Sequence, residues 1–92
     1  MIVRLRAFGE LERLFGGERP HLSLPDPATL GDLLDAIDER WGAPLGPMWW
    51  DRAARRFCGP VIILAGGADL HAPATPLNDG QQILLVPVVS GG

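Results

Sequence analysis

The sequence predicts an α+β fold, with one amphipathic helix in the middle of the chain lying across a sheet whose strands come before and after it. Three observations carry this prediction. Ile2 to Phe8 alternates apolar and polar, Leu30 to Trp41 repeats apolar side chains at helical spacing, and Val61–Ala65 and Ile83–Val89 are short apolar runs of the kind that form buried strands. Strands gathered at both ends, with no repeated strand–helix alternation, argue against a doubly wound parallel sheet.

In the first strand Val3, Leu5 and Ala7 share one face and Arg4, Arg6 and Phe8 the other, as in a strand with one buried side. Gly9 ends it, and Leu11, Leu14 and Phe15 are spaced as one short helical turn would place them. Gly16-Gly17 turns the chain before His21-Leu22-Ser23-Leu24 alternates again, so these two strands are expected to pair antiparallel. Pro25-Asp26-Pro27 stops the second strand. Thr29 then suits a helix N-cap, because its hydroxyl accepts a bond from a first-turn amide, and Asp32 completes a variant capping box. Leu30, Leu33, Leu34, Ile37 and Trp41 form the apolar stripe of a helix of about 12 residues, with Asp32, Asp35, Asp38 and Glu39 as its solvated faces. Gly42 and Pro44 read as its end.

Residues 43–59 read as a loop on the strength of Pro44, Gly46 and Pro47, with a helical turn open over Asp51–Arg56. Met48, Trp49, Trp50 and Phe57 have two readings. They seal one end of a small core, or, beside Arg52, Arg55 and Arg56, they form a partner-binding surface, since Trp and Arg are enriched where binding energy concentrates. Val61–Ala65, bounded by Pro60 and Gly66-Gly67, reads as a strand covered on both faces or central in the sheet. A short strand is expected near Asp69–His71. Asn78-Asp79-Gly80 has turn chemistry, Gln81–Val89 is the final strand, and Pro87 belongs where ladder bonding stops.

Composition narrows the chemistry. A chain of 92 residues that is 47% apolar supports one domain with a small core. The net charge is −3 and all eight basic residues are Arg, without a basic cluster, which argues against a nucleic-acid binder that must neutralise phosphates. Without Lys there is no Schiff-base or phosphate-loop lysine, and no side-chain amine to which a modifier could be joined. Cys58 is the one cysteine, which excludes an internal disulfide and a cysteine metal cage; it reads as buried or incidental rather than as a persulfide acceptor. His21 and His71 are isolated and read as strand or surface residues. The glycine pairs read as turns, since neither precedes the Lys of a phosphate loop. No nucleophile, base and oxyanion set can be assembled and no metal site is expected, so the chain is not expected to be an enzyme. No apolar run approaches the roughly 20 residues that span a bilayer, and Arg4 and Arg6 within the first strand argue against a signal peptide. A cytoplasmic protein is expected.

The C-terminal end carries the distinctive chemistry. Phe8 to Gly16, Thr29-Leu30-Gly31-Asp32-Leu33-Leu34, and above all Pro76-Leu77-Asn78-Asp79-Gly80 followed by a strand, Pro87 and Val89-Ser90-Gly91-Gly92, resemble the MoaD/ThiS-type ubiquitin-like sulfur carriers. The likeness is greatest to the small subunit of molybdopterin synthase. It implies a β-grasp fold: a mixed sheet of four to five strands with the first and last parallel and adjacent at its centre, and one main helix packed on one face. Residues 1–89 would form this domain and 90–92 a flexible Ser-Gly-Gly tail.

The resemblance also implies the reaction. A ubiquitin-activating-type adenylating enzyme (MoeB/ThiF type) uses ATP to join AMP to the Gly92 carboxylate. Sulfur then replaces AMP, and the thiocarboxylate donates sulfur to a pterin held in a larger MoaE-type subunit. The carrier holds no permanent cofactor. Ser90 and Gly91 lead to Gly92, and glycine suits a tail that threads a narrow channel because it has no side chain to clash. Docking is expected from Phe8, Leu85, Pro87 and Val89, together with Trp49 and Trp50. The chain departs from the type at Gln81-Gln82, Leu85-Val86 and Pro87-Val88, where acidic residues, aromatics and a Pro-Pro pair are usual. Other readings stay open: a carrier for cysteine, the thiamin thiazole, a tRNA base or a secondary metabolite; a ubiquitin-like protein modifier; and an interaction domain with an inert tail.

Overall fold

In a computed structural model that describes residues 1–17 and 19–88, the first and last strands lie side by side in parallel. The elements are β1 (Ile2–Ala7), α1 (Glu10–Leu14), β2 (His21–Ser23), α2 (Leu30–Trp49), β3 (Trp50–Asp51), β4 (Arg56–Phe57), β5 (Val61–Ala65), β6 (Ala68–Asp69) and β7 (Gln82–Pro87). Among the described residues one sheet has the order β2-β1-β7-β5-β6, and β3 and β4 form a separate hairpin. β1 pairs antiparallel with β2, as expected, and β7 pairs antiparallel with β5. This is a β-grasp fold, with α2 across one face of a mixed sheet.

The turn at residues 78–80 starts β7 in register with β1. The Ile2 amide donates to Asp79 Oδ1 at 2.8 Å and the Gly80 amide to the Ile2 carbonyl at 2.7 Å. Gly80 sits at φ 77°, a conformation open to glycine at little steric cost. Leu5 then lies opposite Ile83 and Ala7 opposite Leu85. These side chains point at α2, whose Leu33, Ile37 and Trp41 are buried against them with Leu11 and Phe15 of the α1 region. Each such apolar side chain contributes about 1.5–3 kcal/mol when fully buried. The capping box at the start of α2 is present: the Asp32 amide donates to Thr29 Oγ1 at 3.4 Å and the Thr29 amide to Asp32 Oδ2 at 2.8 Å.

Three expectations need correction. The helix does not end at Gly42 and Pro44 but continues to Gly46, where φ 72° and ψ 170° break it before a last turn to Trp49. Leu45, 3% exposed, extends the buried stripe by one turn beyond Trp41. Gly42 lies where the Asp38 and Arg52 side chains cross the helix: a Cβ there would lie 2.8 Å from Asp38 Oδ1 and 3.0 Å from Arg52 Nε, so a larger residue would displace the ends of both. Asp51–Arg56 is the tip of the β3–β4 hairpin rather than a helical turn: Asp51 Oδ1 accepts from the Ala53 and Ala54 amides at 3.0 Å each, and Arg55 turns the chain at φ 54°. β5 is second from the edge and buried only at Ile63 and Ala65. The short strand expected near Asp69–His71 is present, at Ala68–Asp69.

Candidate functional site

β7 carries the chain out of the centre of the sheet, and its last described residues are fastened on both sides. The Phe8 amide donates to the Leu85 carbonyl at 3.0 Å, and the Val88 amide donates to the Pro60 carbonyl at 2.7 Å. Pro87 ends the ladder opposite Val61, as expected, and packs beside Gly9, where a Cβ would lie 3.3 Å from Pro87 Cγ. The position of the strand is therefore set as far as Val88. Val89, Ser90, Gly91 and Gly92, which include the sulfur-carrying terminus and its tail, lie outside the described residues.

Alternation along β7 sorts its side chains between two faces. Ile83 and Leu85 point into the core and are 0% exposed. Leu84 and Val86 point to the opposite face, in register with Arg6 on β1 and with Leu64 and Ile62 on β5. Phe8, Ile62, Leu64, Leu84 and Val86 are half-buried and Val88 is 41% exposed, so the sheet face opposite α2 is apolar up to the exit of the chain. Arg6 lies over the Phe8 ring, 4.8 Å from its centroid, and borders this face.

Two of the expected docking residues are corrected by these positions. Leu85 belongs to the core, because the register with Ala7 and Ile63 turns it toward α2. Trp50 is 1% exposed and closes the core: its Nε1 donates to Asp38 Oδ1 at 2.8 Å, and its ring meets Phe57 edge-on with centroids 4.9 Å apart. Phe8 and Pro87 are half-buried beside the exit, and Trp49 is half-buried against the core. Of the two readings of the aromatic segment, Trp50 fits the sealed core, while Met48 is 80% exposed.

Asp38 is likewise not part of a solvated face. It accepts from Trp50 and pairs with Arg52 Nε at 3.3 Å. The Trp50 hydrogen bond holds its carboxyl below the usual carboxylate range, with help from Arg52 and Arg55 and against the opposing effect of desolvation. Asp35 pairs with Arg55 at 3.1 Å, and both groups stand more than half exposed. His21 is exposed on β2, and His71 is exposed beside Asp69 at 3.5 Å. Cys58 is half-buried and its Sγ donates to the Pro47 carbonyl at 3.3 Å. Among the described residues, no three His, Cys, Asp or Glu side chains gather as metal ligands would, and no helix is long and apolar enough to cross a membrane.

The sequence profile of the ThiS family matches residues 5–92. The chain belongs to the ThiS family. Small archaeal modifier protein 3 of Haloferax volcanii is 27% identical over 95 residues, with 100% of both chains covered. SAMP1 from Haloferax volcanii has the same fold, with a TM-score of 0.80 at 23% identity and 100% of both chains covered. A chain from the complex of subunits 1 and 2 of the molybdopterin-converting factor from Helicobacter pylori aligns with a TM-score of 0.67 at 25% identity, again over 100% of both chains. This is a family of small ubiquitin-like sulfur carriers and modifiers.

The ThiS-family fold brings Phe8 and Pro87 together at the exit of β7, while Trp49 packs against the core at the end of α2. The residues missed from the sequence are Ile62, Leu64, Leu84 and Val86. Their signal was present: Val61–Ala65 and Ile83–Val89 are apolar at every position, which one buried face alone does not require.

Proposed function

We propose that this ThiS-family chain is a sulfur carrier whose terminal Gly92 is adenylated and then converted to a thiocarboxylate, and that it serves as the small subunit of a molybdopterin synthase. The observation that carries the reading is the fastening of β7 through Val88 beside an uncovered apolar face, on a chain whose family match extends to residue 92. In the first step a Gly92 carboxylate oxygen attacks the α-phosphorus of ATP, and pyrophosphate leaves. A sulfur nucleophile then displaces AMP from the acyl carbon. Gly91 and Ser90 pass through the partner's channel, where the missing glycine side chain avoids a clash.

The carrier is consumed and recharged in the cytoplasm. ATP binds the adenylating enzyme of the MoeB/ThiF type, and the catalytic groups belong to that enzyme and to a MoaE-type large subunit. Both partners dock on the apolar face formed by Phe8, Ile62, Leu64, Leu84, Val86 and Val88, with Pro87 beside the exit. Similarity to a chain from a two-subunit molybdopterin-converting complex supports this choice of acceptor. The full-length similarity to a small archaeal modifier protein supports a second reading, in which the activated Gly92 forms an amide with amines of target proteins.

Intact-mass measurement after co-expression with an adenylating enzyme and a sulfur source tests the proposal. Sulfur transfer gives a gain matching replacement of one oxygen by sulfur. Conjugates of higher mass that survive thiol treatment favour the modifier reading, and an unchanged mass under conditions that charge another family member refutes both.

A further inference from the structure

We infer that the groove between α2, the β3–β4 hairpin and β5 is a second interaction site, which takes an extended acidic peptide segment of a partner protein against the open edge of β5. It goes beyond the proposed function and requires no chemistry at Gly92. Ile63 and Ala65 are buried toward α2 and Val61 packs against the same core, so the groove lies on the α2 side of the sheet, across from the apolar face at the exit of β7.

The groove has a volume of about 520 Å³, within the range of ligand pockets. Leu34 of α2, Phe57 of β4, Val61 of β5 and Leu70 form its apolar wall, and each is only half-buried against the core. Beside this wall, β6 pairs only with Leu64 and Ala65, which leaves the start of β5 without a strand neighbour on its outer edge.

The main chain of that edge is incompletely paired. The Val88 amide donates to the Pro60 carbonyl, so residues 60, 62 and 64 turn their amide and carbonyl groups toward β7, and 61, 63 and 65 turn theirs outward. The Val61 amide donates to the Gly59 carbonyl at 3.0 Å, and the Ile63 carbonyl accepts from the Leu70 amide at 2.7 Å. The Val61 carbonyl and the Ile63 amide have no main-chain partner among the described residues. Ile63 is 9% exposed, and amides in such settings are nearly always paired. An acceptor and a donor two residues apart on a strand edge are completed by a peptide main chain. A small anion could satisfy the amide but offers nothing to the carbonyl.

The charges at the mouth set the character of the peptide. Arg55 and Arg56 both line the groove on a chain of net charge −3, against one carboxylate, Asp35. Asp35 pairs with Arg55, whereas Arg56 is exposed and has no acidic partner among the described residues. Arg55 is held at φ 54°, a strained conformation for a residue with a Cβ, and this turn brings its guanidinium to the groove. The first-turn amides of α2 are already occupied: Leu30 donates to the Thr75 carbonyl and Gly31 to the Pro73 carbonyl, each at 2.8 Å. Anion recognition therefore falls to the guanidiniums, which suit carboxylate side chains set beside apolar ones.

An amide NMR titration of the isotope-labelled full chain with a capped pentapeptide alternating leucine and aspartate tests the inference. The largest shifts should fall on Val61, Ile63 and Leu70 rather than on Leu84, and hydrogen exchange at the Ile63 amide should slow. Replacing the aspartates of the peptide by asparagine should raise Kd at least about tenfold, and so should Arg56→Glu, with the melting temperature of that variant unchanged. Four results would each overturn the inference: no shift at about 2 mM peptide, equal binding by the asparagine peptide or by Arg56→Glu, largest shifts on the open sheet face, or acetate slowing Ile63 exchange as much as the peptide does. The titration involves no activating enzyme, so failure of the sulfur-carrier reading is seen in the charging experiment and not in this one.

Discussion

Leu84 and Leu85 are adjacent in β7, yet their truncations should have opposite consequences. Leu85 is 0% exposed at the centre of the sheet, opposite Ala7 and Ile63. Leu85→Ala removes core atoms that neighbours fixed in a ladder replace poorly, and changes of this kind cost about 2–5 kcal/mol. A domain of this length has about 5–14 kcal/mol of total stability, so the loss is a large share of it. At about 4–8 °C per kcal/mol, the melting temperature should fall by about 10 °C or more. Leu84 is half-buried on the open face, opposite Arg6 and Leu64, and Leu84→Ala should cost no more than about 1 kcal/mol. Its effect should fall on docking: more than about 1 kcal/mol of binding, or at least fivefold in Kd, for a residue central to an interface. Thermal melts by circular dichroism, with calorimetric titration against the adenylating enzyme that charges the chain, separate the two effects. If Leu84→Ala melted as early as Leu85→Ala and bound as tightly as wild type, the assignment of faces would be wrong.

Two further outcomes follow from local structure. Thr29→Ala removes the Oγ1 acceptor of the capping box, and because that bond is long at 3.4 Å the cost should lie toward about 0.5–1 kcal/mol, a fall of a few degrees in melting temperature, with Thr29→Ser close to wild type. Asp38 has a depressed carboxyl pKa, so its stabilisation is present above the ordinary carboxylate range and is lost as pH falls through the lower folded value. Asp38→Asn should therefore melt below wild type at pH 7, with the gap closing in strong acid; a gap of constant size across that range would show that the ionised form contributes nothing.

The legible parts of the chain were those fixed by near neighbours. β1 alternates because one of its faces is apolar and the other carries Arg4, Arg6 and Phe8, and Thr29 with Asp32 form a box within a single turn. β7 lacks that contrast. With both of its faces apolar, period two leaves no mark, and the parity that buries Leu85 is set by the Asp79 and Gly80 contacts with Ile2, nearly eighty positions away. Gly42 was ambiguous for another reason: a helix end and a close approach both call for a residue without Cβ. The burial of Leu45, four positions after Trp41, was the clue that the stripe continued. Sequence leaves Trp50 open between core and docking surface because its burial depends on a partner for Nε1, and that partner, Asp38, looks like any other solvated carboxylate in sequence.

The fastening of β7 also constrains how a partner must work. Ile83 and Leu85 are locked in the core and Val88 is tied to Pro60, so the strand cannot slide outward to lengthen its reach. The chemistry proposed at Gly92 is confined by chain length to within about 13–14 Å of Val88. If the proposed function holds, an enzyme that adenylates the terminus and a second one that accepts its sulfur must each bring a reaction centre inside that radius. The apolar surface within it is the face of Phe8, Leu84 and Val86, so the two partners should compete for one surface rather than bind together. Transfer then requires the first partner to leave before the second arrives. A titration in which the second partner displaces the first from the carrier, with no ternary complex, is the expected result; a stable ternary complex on this face would mean that docking uses a different surface.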